Sequence, residues 1–432
     1  MSDVHQHYLE ALRRLQFAPP ERLVEHQLGL VERLVCHAYA NVPYYRERLD
    51  CVVQNGSFRP QAWSKVPLLT RRDVQNNAPA LQAATVPAKA GDKVPGSTSG
   101  TSGSPLNFYQ SHLATIASDC QHERMLEVHA IDPTAHLARI RVDRSAPYPE
   151  GREAQGWNLT CPTSRLSALN VLTPIAEQAE WLVRCKPRYL ATYPSNAAAL
   201  ASRLEATGQS LRLSAVLTVG EQVTVEQRNA IARVFGARVF DSYGATEVGY
   251  LAFECPAGGG YHVAYESVLI DVVDDRGMTV PPGAVGQVAV TPVYNYAMPF
   301  IRYAIGDYAV AADGACSCGR TLPRLATIAG RVRNVLTFAD GSQRSPWGWR
   351  STFQPLLRAE QMQMVQTATD KIEIRYVPTA GAAPPDDARV EEIGRRAIHP
   401  AVEVRAVAVE RIARSASGKI EECVSLVTPP LR

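Results

Sequence analysis

The sequence predicts an α/β fold with a large N-terminal domain and a small α+β C-terminal domain, and three observations carry that prediction. A chain of 432 residues is too long for one compact core, so two or more domains are expected. Between residues 110 and 240 helix-like and strand-like stretches alternate, as in βα units that build a mainly parallel sheet flanked by helices. Past Tyr250 the pattern changes to short strands and tight turns, a β-rich section. Beyond Gly330 lies a stretch of roughly 100 residues, long enough to fold by itself. The expected domains are 1–329 and 330–432.

Taken in order, residues 6–49 are helix-rich, with apolar positions at helical spacing through Leu23, Val24, Leu28, Leu30 and Val31. Val42-Pro43 ends one of these helices, because proline disfavours helical geometry in the residue before it. Thr70 before Arg71-Arg72-Asp73 is a helix cap. A short strand is expected at Pro105–Tyr109. Helices are expected at Ile175–Arg184, Asn196–Thr207 and Val223–Phe235, and strands at Tyr189–Tyr193, Leu213–Val219 and Arg238–Asp241. Ligands of such sheets bind at the carboxyl ends of the strands. This directs attention to Tyr193-Pro194-Ser195, Gly220-Glu221 and Asp241-Ser242-Tyr243-Gly244. Further strands are expected at Val268–Val273, Gly286–Thr291 and Met298–Tyr303. In the C-terminal domain the expected segments are Val335–Phe338, Trp347–Arg358, Lys371–Val377, Ala388–Ile398 and Val402–Glu410.

Composition narrows the function classes. With 46% hydrophobic and 20% charged residues the chain is an ordinary globular one, and a net charge of +3 on this length points to neither a nucleic-acid nor a membrane partner. No apolar run approaches bilayer length, and Met1-Ser2-Asp3-Val4-His5 carries no secretory signal. Nine cysteines, most standing alone, are no disulfide framework and fit a reducing cytoplasm.

Five stretches carry chemistry. Gly96-Ser97-Thr98-Ser99-Gly100-Thr101-Ser102-Gly103-Ser104-Pro105 suits either a flexible linker or a nest of backbone N–H groups for phosphate oxygens. No Gly-Lys-Ser/Thr closes it, so it is not of the Walker type. Ser242-Tyr243-Gly244-Ala245-Thr246-Glu247 puts a hydroxyl and a carboxylate after a strand end, where an acid holds magnesium or simply begins a helix. Arg302-Tyr303-Ala304-Ile305-Gly306-Asp307 offers an acid at a turn, suited to a sugar diol or to turn formation alone. Gly330-Arg331-Val332-Arg333-Asn334 lies at the domain boundary. Ser415-Ala416-Ser417-Gly418-Lys419-Ile420 presents a lysine on a loop near the C-terminus.

In this order the five stretches resemble the adenylate-forming superfamily of acyl-CoA synthetases and adenylation domains, and its short phenylacetate–CoA ligase-like branch most of all. Ala40-Asn41-Val42-Pro43-Tyr44-Tyr45-Arg46, Val66-Pro67-Leu68-Leu69-Thr70 and Cys316-Ser317-Cys318-Gly319-Arg320 support the branch. The resemblance implies ATP-dependent activation of a carboxylic acid to an acyl-adenylate. Transfer to coenzyme A with release of AMP follows, or transfer to an amine or hydroxyl. It implies that Ser99, Gly100, Thr101, Ser102 and Gly103 wrap the outer phosphates of ATP. Gly220, Glu221, Asp241, Ser242 and Tyr243 border the adenine, Thr246 meets the α-phosphate, and Glu247 binds Mg²⁺. Asp307 takes the ribose hydroxyls, Arg331 touches the nucleotide from the hinge, and Lys419 on the mobile last domain neutralises the reacting anions. Tyr193, Gly244 and Tyr250 line the acid pocket with Tyr243, Thr246 and residues of the 120–160 region, an aromatic lining compatible with an aryl acid. The expected partners are a small carboxylic acid and CoA or another nucleophile, with a homodimer left open.

Two positions depart from the family pattern. Ser104 stands where a lysine is common, and Arg333-Asn334 replaces the acid usual after the hinge Gly-Arg-x. Finally, Cys255 and His262 flank a Gly-rich turn, and Cys316 and Cys318 straddle one serine. Three thiolates and an imidazole make a closed, structural zinc site. The alternative is a set of unpaired core cysteines with a surface histidine.

Overall fold

The computed structural model describes residues 2–98, 105–331, 336–344, 349–379, 381–414, 418–421 and 423–427. The chain divides into two compact units, Met1–Ile328 and Ala329–Arg432.

The first unit opens with α1 (Asp3–Leu15), capped by Ser2, and α2 (Pro20–Asn41), which stops before Val42-Pro43. A small hairpin, β1 (Val53–Gln54) and β2 (Ser57–Phe58), precedes α3 (Arg71–Asn77). Thr70 and Asp73 close a reciprocal capping box on α3, satisfying two backbone donors at its start. Next come β3 (Lys93–Ser97) and β4 (Asn107–Ser111), paired antiparallel with Ser97 opposite Asn107, then α4 (His112–Val128).

The alternating region then supplies β5 (Leu137–Arg141), β6 (Arg152–Gln155), β7 (Arg165–Asn170), α5 (Ile175–Cys185), β8 (Tyr189–Thr192), α6 (Pro194–Ala206), β9 (Ala215–Val219), α7 (Val225–Phe235) and β10 (Arg238–Ala245). The β-rich section adds β11 (Gly249–Glu254), β12 (Tyr261–Val263), β13 (Val268–Val273), β14 (Val285–Pro292), β15 (Tyr303–Ala311) and β16 (Arg324–Arg331). All of β5 to β16 join one twelve-stranded sheet in the order β13-β14-β15-β16-β12-β11-β10-β9-β8-β5-β7-β6. The run β10-β9-β8-β5-β7 is parallel, whereas β10, β11, β12 and β16 pair antiparallel. The parallel strands are covered on both faces, which is why β8 and β9 are continuous apolar runs. Leu200, Leu204, Ile231 and Phe235 pack with Val216 in one core, and Met125, Leu126, Leu217 and Phe240 form another. A third core joins Leu30, Leu34 and Val35 of α2 to Val288, Val290, Phe300 and Tyr303.

Two expected strand boundaries are corrected. The strand expected at Met298–Tyr303 is a buried connection, and strand structure begins only at Tyr303. Much of its backbone is satisfied by side chains. The Tyr45 hydroxyl donates to the Pro299 carbonyl (2.9 Å) and accepts from Ile301 N–H, while Thr291 Oγ1 accepts from Arg302 N–H. Burial of an apolar run is therefore not a strand signal by itself. The strand expected at Arg238–Asp241 continues to Ala245, because β11 folds back on it past a bulge at Tyr243/Gly244. A Cβ on Gly244 would lie 2.9 Å from the Gly249 carbonyl oxygen, so this close return requires glycine.

The second unit, after the end of β16, contains a hairpin of β17 (Leu336–Thr337) and β18 (Gln343–Arg344), α8 (Trp349–Leu357), β19 (Ala359–Ala368), β20 (Lys371–Pro378), α9 (Asp387–Ala397), β21 (Glu403–Ala408) and β22 (Cys423–Ser425). Four strands form a sheet in the order β21-β20-β19-β22. The sequence reading has no element at 359–368. There Gln361, Met362, Gln363 and Met364 do carry the period-two alternation of a strand, with Met362 and Met364 buried. Among the described residues, no helix is long and apolar enough to cross a membrane.

Candidate functional site

The carboxyl ends of β8, β9 and β10 gather the residues expected there. Tyr193, at the start of α6, is buried, and the Glu221 carboxylate accepts the Ser195 N–H at 3.0 Å, linking the loops after β8 and β9. Gly220 is exposed beside it. Asp241 is enclosed in β10, where its carboxylate accepts from the Thr218 hydroxyl (2.6 Å) and the Tyr261 phenol (2.7 Å). Burial raises its pKa to about 7 despite those two donors. Ser242 donates to the Thr218 carbonyl.

Tyr243 reaches across the sheet, and its hydroxyl donates to Asp307 at 2.8 Å. Asp307 was expected at a turn, but it sits inside β15 just after Gly306, whose φ of +88° breaks the regular strand. The acid, itself buried, is held by a strand and a phenol, a more rigid mounting than a turn provides. Thr246 and Glu247 occupy the β10–β11 turn, Thr246 exposed and Glu247 buried. The Tyr303 hydroxyl donates to Glu247 Oε1 at 3.2 Å, and the Arg71 guanidinium lies 3.9 Å from the same oxygen.

Arg71 also donates to Thr98 Oγ1 at 3.1 Å. Thr98 ties the neck of the Ser/Gly loop: its N–H donates to the Leu106 carbonyl, and its hydroxyl accepts from the Leu106 N–H, both at 3.0 Å. The loop is thus the tip of the β3–β4 hairpin inside one unit, which excludes a linker between modules. Ser99, Gly100, Thr101, Ser102, Gly103 and Ser104 lie outside the described residues.

Sequence reasoning gave Arg71 no role beyond helix initiation and Tyr303 none at all. Their positions follow from the Val66–Thr70 segment, which runs beside β15. Leu69 N–H donates to the Arg302 carbonyl, and Ala304 N–H to the Leu69 carbonyl. Arg302, fully buried, donates to the carbonyls of Ser64 (3.0 Å), Val66 (2.7 Å) and Gly277 (2.5 Å). Of the Arg-Tyr pair in the sequence motif, the arginine anchors the segment and the tyrosine faces the site.

Gly244 and Tyr250 stand on opposite strands of the β10–β11 hairpin. Tyr250 is fixed by its N–H donating to Ser118 Oγ of α4 (3.2 Å), with its ring edge-on to His122 at 6.1 Å. Arg331 ends β16, with its side chain outside the described residues. Lys419, half-buried after Gly418, belongs to the second unit.

Cys255, His262, Cys316 and Cys318 converge, their ligand atoms all within 4.8 Å of one another. Cys255 ends up beside His262 because Gly258, Gly259 and Gly260 turn tightly between β11 and β12, all with positive φ. At Gly260 a Cβ would lie 2.1 Å from the Leu325 carbonyl oxygen. Cys255 Sγ is 3.4 Å from Cys316 Sγ, and His262 Nε2 is 3.2 Å from Cys318 Sγ. Burial pushes Cys255 up to about 12 and His262 down to about 4. At Cys318 burial also pushes upward, but hydrogen bonds from Arg320 and the neighbouring thiols bring it below the usual thiol value.

No protein-family model matches the chain. It is 29% identical over 336 residues to a phenylacetate–coenzyme A ligase of Thermus thermophilus, covering 74% of this chain and 73% of that one. It is 26% identical over 337 residues to a phenylacetate–coenzyme A ligase of Pseudomonas putida, with the same coverage. Among solved structures it superposes on 2-hydroxyisobutyryl-CoA ligase with a TM-score of 0.75 at 20% identity, covering 96% of this chain and 91% of that one. The fold is that of the adenylate-forming CoA ligases, and the order of motifs mounted on it resembles theirs. In sequence the chain is similar to phenylacetate–coenzyme A ligases over about three quarters of its length.

Proposed function

We propose that the chain is an AMP-forming acid–thiol ligase. It activates a carboxylic acid, aromatic in class, with ATP and passes the acyl group to coenzyme A. The observation that carries this reading is the convergence of Thr98 at the neck of the Ser/Gly hairpin, Arg71, and the Glu247–Tyr303 pair. The loop tip, residues 99–103, holds the outer phosphates. Arg71 supplies beside them the positive charge that Ser104 does not. Asp307, oriented by Tyr243, accepts the ribose hydroxyls, and Asp241, Ser242, Gly220 and Glu221 border the base. Thr246, exposed on the β10–β11 turn, meets the α-phosphate, and Arg331 contacts the nucleotide from the hinge.

Glu247 fits a magnesium ligand. Tyr303 and Arg71 both address Oε1, which leaves Oε2 for a cation. Mg²⁺ there would offset negative charge on the phosphates. Attack of the acid's carboxylate on the α-phosphate brings two anions together, and Lys419 neutralises the charge that develops. The bond formed is acyl oxygen to α-phosphorus, and the bond broken releases pyrophosphate. The CoA thiol then displaces AMP from the acyl carbon.

The Cys255–His262–Cys316–Cys318 cluster fits a structural zinc. Tetrahedral zinc sets such donors roughly 3.5–3.8 Å apart, close to the separations seen here, and leaves no open position. The free cysteines elsewhere suit a reducing compartment, the cytoplasm.

A pyrophosphate-release screen over a carboxylic acid panel, with and without CoA, tests the function. Acid-dependent release that becomes multiple-turnover with CoA is the expected result. Absence of release with every acid would reject it. Rapid AMP turnover with an amine and no CoA would transfer the acceptor role to the amine. Lys419→Ala should lower adenylation by a factor on the order of 100 or more, as removal of a charge stabilising the transition state does.

A further inference from the structure

Beside Tyr193, a residue proposed for the acid pocket, β5 carries two arginines. Arg139 and Arg141 stand two residues apart, on one face of β5, and both are half-buried. Neither guanidinium makes a hydrogen bond or ion pair with any described residue, and Arg141 Nε is enclosed without a partner. Asp143, the nearby acid, is taken by Arg152 at 2.9 Å. Arg141 ends its strand at the carboxyl edge of the sheet. Extending the parallel register Arg139↔Ala191 by two residues sets it level with Tyr193.

From the other side α4 brings His122, and β11 brings Tyr250. The two rings meet edge-on at 6.1 Å, and the Tyr250 hydroxyl is buried without a hydrogen-bond partner among the described residues. His122 is exposed and lies near enough to Arg141 to feel its charge. Burial first, and then the charge of Arg141, lower its pKa from the usual imidazole value. Burial likewise disfavours the charge on Arg141. An arginine held this way stays cationic, and a bound anion would relieve its cost.

We infer that Arg141 receives a second anionic group on the acid being activated, with the Tyr250 hydroxyl and the neutral His122 as additional hydrogen-bonding groups. The substrate class is therefore an aromatic acid bearing a second carboxylate. The planar fork of arginine matches a carboxylate with two parallel hydrogen bonds. An unsubstituted aryl acid would leave the guanidinium and the phenol unpaired, and a site built this way discriminates against ligands lacking the polar group. This inference rests on the ligase reading, which names the acid pocket but not the acid.

The test is ATP–pyrophosphate exchange with phenylacetate and benzoate against their ring-carboxylated counterparts. The wild-type protein should favour the diacids on kcat/KM by a factor on the order of 10 to 100, the worth of a charge-assisted contact. Arg141→Met should erase that preference by raising KM for the diacids, while changing the unsubstituted acids and ATP affinity by no more than about threefold. Arg141→Lys should fall between. Tyr250→Phe, which keeps the ring, should reduce the same preference, so the inference stays testable if Arg141→Met does not fold. Wild-type preference for the unsubstituted acids, or equal losses for both classes in folded variants, would overturn it and leave the ligase reading standing. Exchange with neither class would reject the ligase reading itself.

Discussion

Tyr243 and Asp307 show how a single hydrogen bond positions a functional group. Asp307 lies within a strand, and the 2.8 Å bond from the phenol orients its carboxylate. Tyr243→Phe should cost about 1 kcal/mol in chemical denaturation, the usual worth of such a bond. It should also raise the KM for ATP, and an unchanged KM would separate the pair from nucleotide binding. Asp241 makes a prediction in pH. Burial lifts its carboxyl from 3.8 to about 7, so the folded chain holds a proton that the unfolded chain releases between those values. Its contribution to stability is complete below about pH 4 and is lost as pH rises through 7. Asp241→Asn should therefore gain stability relative to wild type as pH rises across that window, by at most about 1.4 kcal/mol per pH unit. A difference that does not vary with pH would show that Asp241 is ionised throughout.

Among the elements, α3 links fold to site most directly. Its seven residues are too few to be stable alone, so the Thr70–Asp73 capping box matters more here than in a long helix. Arg71 is its first residue, and the cap therefore also aims a guanidinium at Glu247 and Thr98. Thr70→Ala should destabilise the protein by about 1 kcal/mol and weaken ATP binding with it, measured by denaturation and calorimetry. Loss of stability alone would mean that Arg71 keeps its place without the cap. The capped helix was legible from Thr70 and Asp73. Its meeting with Glu247, 176 positions later in the chain (247 less 71), was not. That contact depends on Leu69 running beside β15, and backbone pairing between distant segments leaves no local pattern.

For the whole molecule, one continuous sheet runs from the parallel βα region into the β-rich section. The thiol–imidazole cluster joins the β11–β12 turn to the loop between β15 and β16. With zinc bound it would act as a cross-link between segments about 60 residues apart, an effect on the order of several kcal/mol. Elemental analysis should find one zinc per chain, and Cys316→Ser should lose the metal and lower the thermal midpoint. A metal-free wild-type protein with the same midpoint would remove zinc from the account. The twelve-strand order was beyond reach of the sequence because β13–β16 return to the sheet out of chain order.

The sequence by itself determined the alternation of helix and strand, the resemblance to the adenylate-forming ligases and the identity of the motif residues. These depend on local periodicity and on short stretches whose chemistry is legible within a few residues. Tertiary structure alone decided which residues meet: Arg71 with Glu247, Tyr243 with Asp307, and His122 with Tyr250. It also replaced the turn expected at Asp307 with a strand. The physical reason is common to all of these cases. A side chain's partners, and the burial that shifts its charge, are set by segments far away in the chain, and no short window of sequence contains them.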